Sequence, residues 1–428
     1  MKKAPILTVI ILIFLVFSTS ASAEIESTGW TGHGLYVIQG EKLILDSADI
    51  SISINSDQTA TIDAEYVVEN NTKDTIHGYF GVPEHEIELM NFKSWISPYA
   101  YNNKKVSGSS INKQIKGLTK DYNNWRTWAS PFKPGEKRTI RFTYRVENKL
   151  LKDSQYLISY QMDHIKYWQG KPNINIEVHF DNEEVKIYNF GNKFSIKPDL
   201  GEDFTLKWSL NNIENNTSVD FDYYPVDFEI INYLGSVSTN RVMGIVNAYK
   251  NKDYNTVIQL GKEYIKTPED DKLQKGIYFI MAESYLREEQ PEESLIIYKL
   301  LEGDIIFNPG IQEKVEHLIT YNKIMSYSKL EDYKSLYRLL KETKNDETYS
   351  FIYRDWTEKQ INKISKEIIQ EVEEEDWIPE GMEKFKLELM EGEYNKEVLI
   401  IGGTLIIAIA IFRFIVVKKK DKKFLFRK

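Results

Sequence analysis

From Ala48 onward apolar and polar residues alternate one for one: ADISISIN sets Ile50, Ile52 and Ile54 on one face, and TATIDAEYVVEN resumes the alternation after a polar turn at Ser56-Asp57-Gln58. Period two broken by turn residues predicts a β-hairpin. The runs TIHGYFGV, RTIRFTYRVEN, QYLISYQM, NINIEVHF, VKIYNF and FTLKWSL continue the pattern between segments rich in Asn, Asp, Gly and Pro. No helical crossover separates them, so an antiparallel β-sandwich-like domain is expected over residues 24–235. Past Gly235 the period lengthens to about 3.6 and charges become denser, which predicts an all-α domain over residues 236–375.

Within the helical half, YFIMAESYLREEQPEESLIIYKLLEGD places Tyr278, Met281, Ala282 and Tyr285 on one helical face. Pro291 can open a second helix with Ser294, Tyr298 and Leu301 as its stripe, and the small Ala282 and Ser294 let the two helices approach closely. Similar hairpins are expected over Ile245 to Tyr264 and Ile324 to Leu340, with Tyr254 and Val257, then Tyr333 and Leu336, standing where Pro291 and Ser294 stand. The offsets are 37 and 42 residues. One longer helix, Thr348 to Glu375, is expected to cap the array.

The chain ends carry a different signal. Lys2 and Lys3, an apolar run Ile6 to Phe17 and the small-residue site Ala21-Ser22-Ala23 predict a secretory signal peptide over residues 1–23. Val398 to Val417 is apolar except for Arg413 and long enough to span a bilayer as a helix. A juxtamembrane segment, 376–397, precedes it, and the basic tail KKKDKKFLFRK, 418–428, follows. By the positive-inside rule the tail is cytoplasmic and residues 24–397 lie outside the cell, anchored by a single pass.

Charge then narrows the ligands. The signal peptide, Arg413 and the tail hold nine net positive charges, so removing them from the formal −9 leaves −18 for residues 24–397. Nucleic acid is excluded as a partner on that balance. The chain has no cysteine, which removes disulfides, thiol catalysis and thiolate metal sites, and with the heavy use of Lys, Ile and Asn points to a bacterial cell surface. Six histidines are scattered without metal-ligand spacing, and Glu84-His85-Glu86 and Asp163-His164 read as solvated acidic runs. Neither a catalytic motif nor a cofactor signature is present, so no enzyme and no cofactor are expected.

The hairpin Tyr278 to Asp304 resembles a tetratricopeptide repeat, which pairs small and aromatic residues on facing helices. Three such units imply a TPR-like solenoid whose first helices line a concave groove, and carrying that pattern over gives Val246 and Tyr249, Phe279 and Glu283, Tyr321 and Met325 as groove residues. NNTKDTIHGYFGVPE together with WRTWASPFKPGEKRTIRFTYRV resembles exported immunoglobulin-like or inter-alpha-trypsin-type β domains. Trp95, Trp125 and Trp128 fall in an aromatic-dense region, where they either stack on cell-wall glycan or fill the core. The expectation is a membrane-anchored extracytoplasmic scaffold for a protein or peptide partner, with glycan binding as the alternative.

Overall fold

The computed structural model describes residues 32–376 except 56, 85–87, 98, 119, 152–153, 181–186, 202–203, 212, 214–216, 237–238 and 302–308. The expected signal peptide, His85, nearly all of the juxtamembrane segment, the span Val398 to Val417 and the basic tail lie outside the described residues. Among the described residues no helix is long and apolar enough to cross a membrane. A β-sheet-rich N-terminal region is followed by an all-α region. The described residues of Met1–Asp332 and Leu339–Ile361 form one compact unit, and those of Tyr333–Arg338 and Asn362–Lys428 form a second.

The largest sheet runs, edge to edge, Asp199–Leu200 (β15), Leu206–Leu210 (β16), Asn173–Phe180 (β13), Ile44–Ile54 (β3), Thr59–Glu69 (β4), Lys137–Glu147 (β10), Met90–Ile96 (β6) and Tyr99–Tyr101 (β7). A four-stranded sheet joins Tyr36–Gln39 (β2), Ile76–Glu84 (β5), Asn124–Phe132 (β9) and Lys104–Ser107 (β8). The third contains Gly32–His33 (β1), Tyr156–Gln161 (β12), Ser218–Tyr223 (β17) and Phe190–Phe194 (β14), with Lys149–Leu150 (β11) paired to β12. Strict alternation sends Ile50, Ile52 and Ile54 of β3, Ile62, Ala64 and Tyr66 of β4, and Ile140, Phe142 and Tyr144 of β10 into the core. The opposite face of these strands is polar, with Arg141 donating to Asp63 and Asn175 to Asp49.

Two expectations about the strands are corrected. The sheets are not purely antiparallel: β13 pairs β3 in parallel from Asn173↔Ser47 to Phe180↔Ile54, and β1 pairs β12 in parallel. The connection that makes this parallel pair is built of intervening strands rather than a helix, so the absence of helical crossovers carried no information. VKIYNF is not one strand, because Ile187–Asn189 forms a 3-10 turn before β14 begins at Phe190.

Apart from the single helical turn Gly108–Ile111 between β8 and β9, helices begin at Val226–Ser236 (α1), before the change of period at Gly235. They continue as Asn240–Lys250 (α2), Tyr254–Tyr264 (α3), Asp271–Arg287 (α4), Pro291–Leu301 (α5), Pro309–Lys329 (α6), Tyr333–Asn345 (α7), Phe351–Ile361 (α8) and Lys366–Asp376 (α9). Asp253 and Asp270 cap α3 and α4 by accepting from the exposed first-turn amides of Thr256, Lys272 and Leu273. The single helix expected from Thr348 to Glu375 is two, α8 and α9. Ser365 accepts from the amide of Ile368 and so starts the second.

Three turns repeat one geometry. Lys252, Glu289 and Glu331 have φ of 57°, 57° and 55°, and the amides of Asp253, Gln290 and Asp332 donate to the carbonyls of Ala248, Tyr285 and Tyr327. That is a Schellman closure with a non-glycine residue in the left-handed position. The turns are 37 and 42 residues apart and fix the register of the helices that follow. Val257, Ser294 and Leu336 are buried at one equivalent position, Ile258, Leu295 and Tyr337 at the next, and Gly261, Tyr298 and Leu340 one turn later. Lys252 is exposed, so Lys252→Gly should relieve backbone strain without removing a contact. We expect stability to rise by about 0.5 to 1 kcal/mol, read as a higher urea midpoint; an unchanged or lower midpoint would show the turn to be unstrained.

Candidate functional site at the sheet-facing side of the hairpins

The turn register aligns Phe279 of α4 with Val242 and Tyr321, and Glu283 with Val246 and Met325. Tyr249, expected beside them, instead aligns with Leu286 and Ser328, so the sequence-based register of the first hairpin slipped. Val246, Tyr249, Phe279, Glu283 and Tyr321 are all buried, and Met325 is half-buried. Among the described residues these six positions therefore line no open groove. The chain itself fills the space: α1 packs against α4 and α6, and the turn Ile187–Asn189 packs against α6. Gly276 admits this approach, since a Cβ there would lie 2.7 Å from Leu234 Cδ2.

The polar groups among these residues are spent on one another. Tyr249 Oη donates to Glu283 Oε2 at 2.6 Å, and Arg287 Nη2 stands 3.5 Å from Glu283 Oε1. Asn322 Nδ2 donates to Tyr298 Oη at 2.7 Å, and Tyr188 Oη donates to Asp227 Oδ2 at 2.8 Å. The Tyr188 ring meets Tyr321 edge-on at 5.4 Å. Burial, and then the carboxylates of Asp227 and Glu283, push the Tyr188 hydroxyl well above the usual range, so it stays a hydrogen-bond donor.

Beside this cluster α6 carries a buried cation. Lys314 Nζ lies 3.4 Å from Glu313, 3.5 Å from His317 Nδ1 and 5.3 Å from the centroid of the Tyr224 ring. Burial lowers its pKa, opposed by Glu313 and Asp222. His317 stacks on Tyr349 at 4.0 Å and is pushed down to about 2 by burial and by Lys314. Asp222 is raised by burial and held by the amide of Lys193 and by Gln155.

A second polar cluster sits among the sheets. Tyr66 Oη lies 3.1 Å from His164 Nε2 and 3.2 Å from Tyr160 Oη, while Tyr36 Oη donates to Asp163 Oδ1 at 2.7 Å and lies 3.0 Å from Tyr122 Oη. Asp163 and His164 are thus buried rather than solvated, because a Cβ at Gly34 would lie 1.9 Å from the imidazole and glycine alone leaves it room. Burial pushes His164 down to about 3 and several of these phenols well up. A neutral imidazole among undissociated phenols fixes strands together.

The three tryptophans form no row of exposed rings. Trp125 is fully buried, donating from Nε1 to Asn112 Oδ1 at 2.9 Å, and Trp128 packs at 5.8 Å from the buried side of Phe92. Trp95 is half-buried on the polar sheet face beneath Arg141, at 5.8 Å. Three residues apart on β9, the two rings lie on opposite faces: Trp128 fills the main core beside Phe92 and Phe142, and Trp125 fills a separate small core with Tyr36, Ile111, Ile115 and Tyr122, which corrects the glycan-stacking expectation at both. Among the described residues no group of three or more His, Asp or Glu is placed to hold a metal ion.

No protein-family model matches the chain, and no curated protein matches it. Among solved structures, a protein from Legionella pneumophila named for nutrient binding is similar at a TM-score of 0.37 and 11% identity, over 59% of this chain and 97% of that one. An M1 zinc metallopeptidase from Deinococcus radiodurans gives 0.26 and 8%, over 74% and 95%. A protease from Parabacteroides distasonis gives 0.22 and 8%, over 60% and 58%, so the chain spans little more than half of it. At these scores the likenesses say nothing about what this chain does.

Proposed function

We propose that this protein is a membrane-anchored extracytoplasmic interaction protein, in which TPR-like hairpins are braced from inside by a β-sandwich-like region and engage a protein partner with their outer helices. The observation that carries this reading is the threefold turn register, with the second helix of each hairpin buried and exposed at equivalent positions. Repeated hairpins build extended surfaces for recognition. The signal-peptide pattern and the apolar run Val398 to Val417 support placing that surface outside the cell. Because the inner face is filled by α1 and the turn at Ile187–Asn189, the outer face is the one a partner can reach.

A photo-crosslinking residue placed singly at exposed positions Lys93, Gln259, Ile296 and Glu342 of the full-length protein in intact cells tests this. A discrete adduct with another protein is expected from at least one helical position and not from Lys93 on the sheet. Adducts from Lys93 alone, or from none of the four, would overturn the reading.

A further inference from the structure

The outer face of α5 breaks the rule its neighbours obey. Ile296 and Leu300, one turn apart, are 61% and 60% exposed. Counting from the left-handed turn residues, Ile296 corresponds to Gln259 of α3 and Arg338 of α7, and Leu300 to Glu263 and Glu342. The hairpin geometry therefore requires no apolar group at either place. Two hairpins carry amide or charged side chains there, and only the middle one carries a branched aliphatic pair. Single exposed apolar residues are ordinary, but an adjacent i, i+4 pair that the repeat does not need marks a contact.

The charges around the pair indicate its occupant. On the side toward the start of α5 stand Glu288, Glu289, Glu292 and Glu293, with Asn255 donating to Glu288 and Lys329 paired to Glu289. Glu292 and Glu293 are exposed, and only Lys299 stands between the two aliphatic residues. We propose that Ile296 and Leu300 dock an amphipathic helical segment of a partner protein, whose apolar residues are spaced three or four apart and whose Lys or Arg residues lie over Glu292 and Glu293. This rests on the interaction-protein reading and names the surface and the chemistry of its partner. A second copy of this chain fits poorly, because two facing copies would bring Glu292 and Glu293 together, and two side chains per copy fall far short of the area of a stable dimer.

The test uses the full-length protein in its membrane with a photo-crosslinker at Ile296, mapping the captured segment by mass spectrometry. The expected segment belongs to another protein and carries the apolar spacing with flanking basic residues. Reversing charge with Glu292→Lys and Glu293→Lys should cut the adduct at least tenfold, whereas Gln259→Lys and Glu263→Lys on α3 should leave it within twofold. An adduct with this chain or a second copy, a captured acidic segment, or a yield indifferent to the α5 reversal overturns the proposal. So does an empty result at Ile296 when another outer position yields an adduct, and that pattern leaves the broader reading standing. The two charge variants should melt with the parent; if the α5 variant does not, Glu292→Gln with Glu293→Gln replaces it and is held to at least a threefold loss.

Discussion

Lowering the pH from 6.5 to 4.5 is expected to remove about 5 kcal/mol of folding stability, and two buried histidines are responsible. His164 and His317 are held neutral in the fold, with values pushed down to about 3 and about 2, whereas in the unfolded chain an imidazole titrates near 6.5. A depressed value means that the unfolded state binds protons first. The stabilisation is complete above 6.5 and is lost as pH falls toward the folded values, at about 1.4 kcal/mol per pH unit for each histidine. His164 faces the Tyr66 and Tyr36 rings and the backbone of Gly34, and no cation among the described residues touches it. His317 faces Lys314, Thr348, Tyr349 and Tyr353, and the like charge on Lys314 deepens its shift. Asp222 works in the opposite sense, since its raised value makes the folded state take up a proton early. One carboxyl does not outweigh two imidazoles shifted by more than three units each. Urea unfolding across pH 4.5 to 6.5 reads the slope directly, and His317→Phe, which keeps a ring on Tyr349, should halve it. A flat profile in the parent protein would show that both rings are reached by water.

The parts of this fold that local chemistry dictates were legible in the chain. Alternation gave β4 and β10 to within a residue and β3 from Ala48, four residues after it begins at Ile44, and the position of Pro291 gave the middle hairpin. The three turns are not announced by glycine, since Lys252, Glu289 and Glu331 occupy the left-handed position, yet the apolar stripes on either side still placed them. What escaped is set by distant partners. The parallel pairing of β13 with β3 is a choice between edges, to which side-chain period is indifferent. The helical character of Val226–Ser236 was masked by its mixed stripe of Phe, Ile and Tyr. Trp125 and Trp128 read from the chain as core fillers ahead of glycan binders, and only the fold shows that they fill two different cores. Most consequentially, a helical face rich in Phe, Tyr and one carboxylate looks the same whether it binds a stranger or its own chain, and here Tyr188 and Leu234 are what it meets. The outer pair Ile296 and Leu300 could have been found from the sequence, because the offsets of 37 and 42 residues already set them against Gln259 and Glu263 and against Arg338 and Glu342.

Phe279→Ala is the sharpest separation of these alternatives, with an expected loss of about 3 to 5 kcal/mol of stability. The ring is 1% exposed and meets Tyr298 edge-on at 6.3 Å, so its removal leaves a cavity between α4 and α5 as well as losing the transfer free energy of the side chain. Neighbouring Tyr298 is held by Asn322 and cannot move to fill the space without breaking a buried hydrogen bond. Had Phe279 lined an open groove, the same change would have left the urea midpoint nearly unmoved and abolished partner capture. The structure predicts the reverse: a large fall in the midpoint, with the adduct from position 296 retained at temperatures where the variant is folded. The matched comparison is Ile296→Ser with Leu300→Ser, where exposed side chains are removed and stability should stay within about 0.5 kcal/mol of the parent. A stable Phe279→Ala protein that no longer captures its partner would restore the inner face as the binding site and remove the outer one from consideration.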